Sequence, residues 1–362
     1  MQNSDRFLLP GRRVRARGTD TNDTGRFEPR VTVAADDGWD IVEDARLVRT
    51  EVRLERPRSA LTFNRSPDLP FDRSINPYRG CEHGCIYCFA RPTHAYLNLS
   101  PGLDFETRLI ARPGIAAVLE TELRAKRYAP APIAIGTNTD PYQPIEADHR
   151  IMRDVLAVLS AFHHPVALTT KGTLIERDID LLAPMAAKGL ARVGVSVTTL
   201  DARLSRSMEP RAAAPARRLA IIRRLTEAGI PVRVMVAPVI PGLTDHELEP
   251  ILSAARDAGA QTASWIMLRL PLEVSPLVQD WLATHQPGRA AKVMARLREA
   301  HGGKEYDPNW GKRMRGEGAY SELIGKRFKL AVARLGLKEQ ATPLRCDLFA
   351  PPPRAGDQLS LF

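Results

Sequence analysis

Three of the chain's four cysteines, Cys81, Cys85 and Cys88, fall within the stretch SINPYRGCEHGCIYCFARPTHAY (74–96). Three thiolates on one tight loop can hold three irons of a cubane [4Fe–4S] cluster and leave the fourth iron open. Zinc is the alternative, because His83 or His94 would complete a Cys3His tetrahedron. So few cysteines, clustered in a chain without a secretory signal, do not suit a disulfide framework. Tyr87, next to the last cysteine, offers a ring on which a cofactor can stack, and Phe89 follows it. Cys346 stands alone near the C-terminus and is expected to be structural.

An open iron suits S-adenosylmethionine (SAM), whose amino and carboxylate groups can chelate it. Electron transfer into the sulfonium then releases a 5′-deoxyadenosyl radical. That radical abstracts hydrogen from a substrate, which acid–base side chains cannot do.

Such a site needs a scaffold. The chain has 362 residues, 44% of them hydrophobic, enough for one barrel-sized domain with extensions. Residues 1–60 are polar, carry charges of both signs and read as a largely irregular extension, with Trp39 as one anchor. Residues 61–275 read as the barrel. A first strand lies near Ser74–Arg79, and APIAIGT (131–137), PVALTTKG (165–172), ARVGVSVTT (191–199), PVRVMVAPVI (231–240) and TASWIMLRL (262–270) follow. Amphipathic helical stretches separate them, at 149–162, 176–189, 214–229 and 245–259, two of them closed by Gly189 and Gly229. Strict alternation implies βαβ units on a parallel sheet, and six units suit a partial TIM-like (βα)6 barrel. Residues 276–345 read as a helical, basic region and 346–362 as a Pro-rich tail.

CEHGCIYC after a strand, in this six-fold α/β pattern, resembles the radical SAM superfamily. The flanking SINPYRGCEHGCIYCFARPTHAY and SPGLDFE (100–106) resemble its spore photoproduct lyase-like group, and within it a bacterial subgroup of unassigned function. The resemblance runs from about Arg17 to Phe362. It implies that Cys81, Cys85 and Cys88 bind the cluster. It also implies that Thr139 and Asp140 contact the methionine amino group, and that Lys171 pairs with the SAM carboxylate. Ser196 and Thr198 would lie near ribose and carboxylate, and Pro238 to Gly242 near the adenine. On the residues alone, 136–142 also suits an Asx-type turn, Lys171 a surface position, and Ser196 and Thr198 satisfied hydroxyls. Two positions depart from the lyases proper. Thr137 stands where they carry a hydrogen-returning cysteine, and Phe89 where they carry a second tyrosine. The SAM chemistry carries over; the thymine-dimer reaction does not.

The net charge of +10 favours a polyanionic partner, although Arg-rich composition also follows from GC-rich coding. Segment 304–329 interleaves Tyr306, Trp310 and Tyr320 with Lys312, Arg313, Arg315, Lys326 and Arg327, as a nucleic-acid surface would. Arg217, Arg218, Arg223 and Arg224 form a second candidate, or a solvated helix face. The final residues Gln358-Leu359-Ser360-Leu361-Phe362 resemble the peptide by which bacterial repair proteins bind the DNA sliding clamp. Leu361 and Phe362 would anchor in an apolar cleft, Leu359 would accompany them, and Gln358 would add a polar contact. The expected function is radical SAM chemistry on DNA in repair or damage tolerance, with an electron donor such as flavodoxin or ferredoxin. The alternatives are the same chemistry on RNA, a peptide or a small molecule, and a non-catalytic Fe–S binding protein. No apolar run is long enough to span a bilayer and MQNSDRFLLPGRR lacks a signal's apolar core, so a cytoplasmic location is expected.

Overall fold

The computed structural model describes residues 14, 16–28 and 48–354. Its strands, in chain order, are β1 Glu51–Leu54, β2 Leu61–Phe63, β3 Arg73–Ile75, β4 Tyr78–Arg79, β5 Arg108–Ala111, β6 Ile133–Ile135, β7 Val166–Thr170, β8 Ala191–Ser196, β9 Val232–Val239 and β10 Thr262–Met267. Seven form one sheet in the order β10-β9-β8-β7-β6-β3-β2. The six from β3 to β10 run parallel, and β2 adds antiparallel to β3 at one edge. The expected six-unit partial barrel is therefore what the chain builds.

The apolar runs explain it. Ile75, Ile133, Ile135, Val166, Val195 and Val234 are fully buried, each contributing about 1.5–3 kcal/mol of burial. Helices Ile151–Ala161, Ile179–Ala187, Pro215–Glu227 and Leu248–Asp257 cover the outer face with apolar stripes, such as Ile221, Ile222 and Leu225. Gly229, at φ +76°, ends one of them in the left-handed region that glycine adopts without strain. The exposed edge of β10 is covered by the C-terminal region: Ala263 N donates to Lys338 O (2.9 Å) and Met267 N to Met314 O (2.8 Å).

One expectation changes. The first barrel strand ends at Ile75, and Tyr78–Arg79 instead pairs antiparallel with β5. Asn76-Pro77 breaks the run because proline has no N–H for the ladder. Among the described residues before 61, β1 pairs parallel with β5 in a second sheet of order β1-β5-β4. Trp39 lies outside the described residues. Among the described residues no helix is long and apolar enough to cross a membrane.

Candidate active site

The cysteine loop leaves β4 at the C-terminal end of the first barrel strand and is shaped before any cofactor arrives. At Gly80, φ is +76° and a Cβ would fall 2.5 Å from Leu109 Cδ2 and 2.9 Å from Phe105 O, so only glycine fits. Cys81 N then donates to Phe105 O (2.9 Å), Cys88 N to Cys85 O (3.2 Å) and Ile86 N to Met208 O (2.9 Å). Arg91 holds the loop from beneath. Its guanidinium donates to Cys85 O (3.0 Å), Gly84 O (3.3 Å), Pro101 O (3.1 Å) and Gly102 O (2.9 Å). Glu106 neutralises it at 2.5 Å, with both side chains wholly buried. The N-terminal segment completes the arrangement: Gly18 N donates to Glu106 Oε2 (2.8 Å) and Arg17 Nη1 to Glu106 O (2.9 Å). Residues 16–28 are thus without regular structure yet pinned to the cysteine loop.

Cys81, Cys85 and Cys88 are free thiols, the first two buried and the third half-buried. Burial pushes the Cys85 thiol up to about 12, with Lys171 pulling the other way. Burial also raises Cys81, helped by the neighbouring Asp140, Cys85 and Cys88. Metal binding here must release protons and bring positive charge. Each candidate zinc histidine is engaged through one ring nitrogen. His83 Nδ1 lies 3.3 Å from Asp140 Oδ2, and His94 Nε2 lies 2.9 Å from Arg108 O. Among the described residues no three His, Cys, Asp or Glu side chains gather around one ion position. A cluster makes no such demand, since it takes one thiolate per iron, and a three-thiol donor set fits it.

The later strands bring their C-terminal ends to this loop. Asp140 is largely buried, and each of its oxygens is engaged. Oδ1 accepts from Tyr142 N (2.9 Å) and Thr170 Oγ1 (2.6 Å), and Oδ2 accepts from Lys171 N (2.7 Å). Burial opposes its ionisation, but His83 and these donors outweigh it and hold the carboxyl down at about 2. Its side chain closes an Asx-type turn, and Thr139 Oγ1 donates to Tyr78 O (3.0 Å). Both side chains are therefore bonded to protein and shape the turn. Lys171, just past β7, points inward, with Nζ 5.9 Å from the centre of the Tyr87 ring. Burial works against its charge, while Cys85 and Glu209 outweigh it and hold the ammonium above its ordinary value. Ser196, at the end of β8, is buried, and its carbonyl accepts from Arg218 Nη1 (3.2 Å).

Sequence reasoning missed the centre of this wall. Glu209 is fully buried and accepts from the Tyr87 hydroxyl, from Thr198 Oγ1 (3.0 Å) and from Arg218 Nη2. Burial opposes its charge, but Arg218 and Lys171 hold it at about 2. Arg218 had counted among the solvent-facing cations of its helix and is instead wholly buried. The signal was present: position 218 lies three and four residues before Ile221 and Ile222, on the buried stripe. Arg217 and Arg224 both pair with Glu176 (2.6 and 2.8 Å).

The sequence profile of the radical SAM superfamily matches residues 75–255. An uncharacterized protein of Mycobacterium tuberculosis is 37% identical over 277 residues, covering 76% of this chain and 78% of that protein. An uncharacterized protein of Methanocaldococcus jannaschii is 25% identical over 174 residues, 48% of this chain and 62% of that protein. This chain belongs to the radical SAM superfamily. Its fold is that of spore photoproduct lyase. A variant of that lyase with bound AdoMet and dinucleoside spore photoproduct superposes with a TM-score of 0.58 at 15% identity, covering 80% of this chain and 82% of that one. The protein is a radical SAM enzyme, and its cofactors are those of the superfamily, a [4Fe–4S] cluster and SAM.

At the mouth of the radical SAM barrel, Phe89 is exposed, and Arg269, just past β10, lays its guanidinium 4.2 Å over the ring. Arg269 is half-buried and has no ion pair or hydrogen bond among the described residues. Burial lowers its affinity for the proton, with Tyr306 opposing. Segment 304–329 is less available than its composition suggests. Lys312 pairs with Glu317 (2.8 Å), Arg313 with Asp68 (2.7 Å) and Arg327 with Glu249 (2.6 Å), and Arg315 covers Trp265 at 4.4 Å. Trp310 remains exposed. Gln358, Leu359, Leu361 and Phe362 lie outside the described residues.

Proposed function

We propose that this radical SAM enzyme holds its cluster on Cys81, Cys85 and Cys88 and acts on DNA, in repair or tolerance of damage. Three free thiols on one loop, with Lys171 reaching the Tyr87 ring of that same loop, support the site assignment. When bound, the cluster and SAM supply a 5′-deoxyadenosyl radical by one-electron transfer into the sulfonium. The protein's part is to hold and shield. Lys171 offers a cation to the SAM carboxylate, and Ser196 a hydroxyl on the adjoining strand. Asp140 and Thr139 fix the turn that faces the amino group, and Tyr87, tied to Glu209, gives one wall.

For the substrate, the supporting observation is Arg269 on Phe89 beside the cysteine loop. A half-buried guanidinium with no ion pair among the described residues suits an anion from outside, and an exposed ring beside it suits a stacked base. The C-terminal QLSLF, through Gln358, Leu359, Leu361 and Phe362, would tether the enzyme to the DNA sliding clamp. A low-potential donor such as flavodoxin or ferredoxin would supply the electron.

The test is 5′-deoxyadenosine formation by anaerobically reconstituted enzyme with SAM and reductant, with damaged DNA, undamaged DNA or neither. Product that depends on Cys81 and rises with DNA is expected. Cysteine-dependent product indifferent to DNA overturns the substrate. No product despite an intact cluster overturns the catalytic reading and leaves a binding or sensing protein. A peptide of residues 346–362 that fails to bind the clamp would sink the tether.

A further inference from the structure

Outside the barrel mouth, a cavity of about 380 Å³ opens between the loop after β9, helix Pro287–Ala300 and the start of helix Gly318–Arg334. Gly242, Asp245, His246, Arg289, Lys292, Arg296 and Tyr320 line it. Positions 289, 292 and 296 recur at helical spacing and so share one face of Pro287–Ala300. Arg289 and Lys292 are exposed and have no ion pair or side-chain hydrogen bond among the described residues. Arg296 pairs with Glu299 (2.7 Å) and lies 5.1 Å over the Tyr320 ring. The single carboxylate in the lining, Asp245, is taken by the Tyr320 hydroxyl at 2.5 Å. Gly242, at φ +71°, makes the floor: a Cβ there would come 3.4 Å from Lys292 Cγ, so the lysine stem lies directly against bare backbone.

We propose that this cavity binds a backbone phosphate of a nucleic-acid strand. Arg289 and Lys292, unpaired among the described residues, and Arg296, shared with Glu299, line a concave, polar space with one carboxylate, Asp245, so positive side chains outnumber negative ones and the space suits a phosphate oxyanion. The site follows β9 at its C-terminal end, the same end of the barrel that carries the cysteine loop, Lys171 and Arg269. A strand that presents one nucleotide to the barrel mouth would rest a flanking phosphate here. This rests on the DNA reading above and adds a second point of contact to it.

The experiment measures binding of a fluorescein-labelled oligonucleotide to the full-length protein by anisotropy across a range of KCl. The variants are Arg289→Ala/Lys292→Ala, the charge-keeping Arg289→Lys/Lys292→Arg, and Lys126→Ala/Arg127→Ala, which removes two exposed cations preceding β6. Expected is weaker binding by the first variant alone, with the slope of log K against log salt reduced by about 1–2. Binding by Arg289→Ala/Lys292→Ala equal to that of the unaltered protein overturns the pocket and leaves the DNA reading standing. Equal weakening by Lys126→Ala/Arg127→Ala also overturns it, because bulk charge then explains the effect. If the unaltered protein binds no oligonucleotide, thermal stability in inorganic phosphate separates what remains. Stabilisation that Arg289→Ala/Lys292→Ala abolishes makes this a free-phosphate site and overturns the nucleic-acid source. No stabilisation overturns the site altogether.

Discussion

Arg91 and Glu106 meet at 2.5 Å with neither side chain exposed, and through that pair the carbonyls of Gly84 and Cys85 are fixed. Removing one member of a buried pair strands the other charge, at about 3–5 kcal/mol. Glu106→Gln and Arg91→Met are therefore expected to lower the unfolding midpoint sharply. The surviving protein should take up less iron on anaerobic reconstitution, while Arg345→Ala, from an exposed pair, should change neither. Iron and sulfide content with urea unfolding checks this.

The cysteines divide cleanly. Cys81→Ala, Cys85→Ala and Cys88→Ala are each expected to abolish SAM cleavage, and Cys346→Ala to retain it. Product analysis by liquid chromatography under reducing, oxygen-free conditions would decide, and activity in any of the first three variants would contradict the assigned ligand set.

Lys171 supplies charge to a site whose nearest anions are protein groups. If Lys171 pairs with the SAM carboxylate as proposed, Lys171→Met removes a charge-assisted hydrogen bond, a contribution of about 1.5–3 kcal/mol. SAM binding should weaken roughly 10- to 100-fold at constant cluster content. Equilibrium dialysis with labelled SAM measures it, and unaltered binding would return Lys171 to a structural role.

Far from the cluster, His164 makes the fold sensitive to acid. Its Nε2 lies 2.6 Å from the Tyr128 hydroxyl and its Nδ1 3.0 Å from Pro165 O, a pattern that a neutral ring satisfies. Burial, opposed by the Pro165 carbonyl, holds the imidazole down at about 4. Between pH 6.5 and 4 the unfolded chain takes up a proton that the native state refuses, so stability is full above that window and declines through it. The loss is on the order of 3 kcal/mol. Urea unfolding of apoprotein at stepped pH should show the decline, and His164→Gln should flatten it. Because Phe349 packs edge-on to this ring at 5.5 Å, the root of the C-terminal tail should loosen in the same window.

The barrel was legible because its strands are short β-branched runs and its helices carry apolar stripes, both of which survive in any local window of sequence. The break at Pro77 was legible in principle, since proline cannot donate to a ladder. Arg218 was misplaced because charge was weighed over position on the helix. Glu106 and Glu209 could not be found from pattern at all. Their partners, Arg91 and Gly18 for one, Tyr87 and Thr198 for the other, come from distant parts of the chain. β1 went unread for a related reason: Glu51–Leu54 is a short, mostly exposed run that pairs with β5 from far along the chain.

The Cα of Gly18 lies so close to Gly84 that a Cβ would fall 1.8 Å from the Gly84 carbonyl oxygen. The superfamily profile matches from residue 75, so this contact joins residues upstream of the match to the cysteine loop. A gene fragment encoding only the matched portion would carry all three cysteines yet lose Arg17, Gly18 and Thr50, which brace the loop between them. A chain cut at residue 75 would therefore keep the ligands but lose part of what holds their loop in shape.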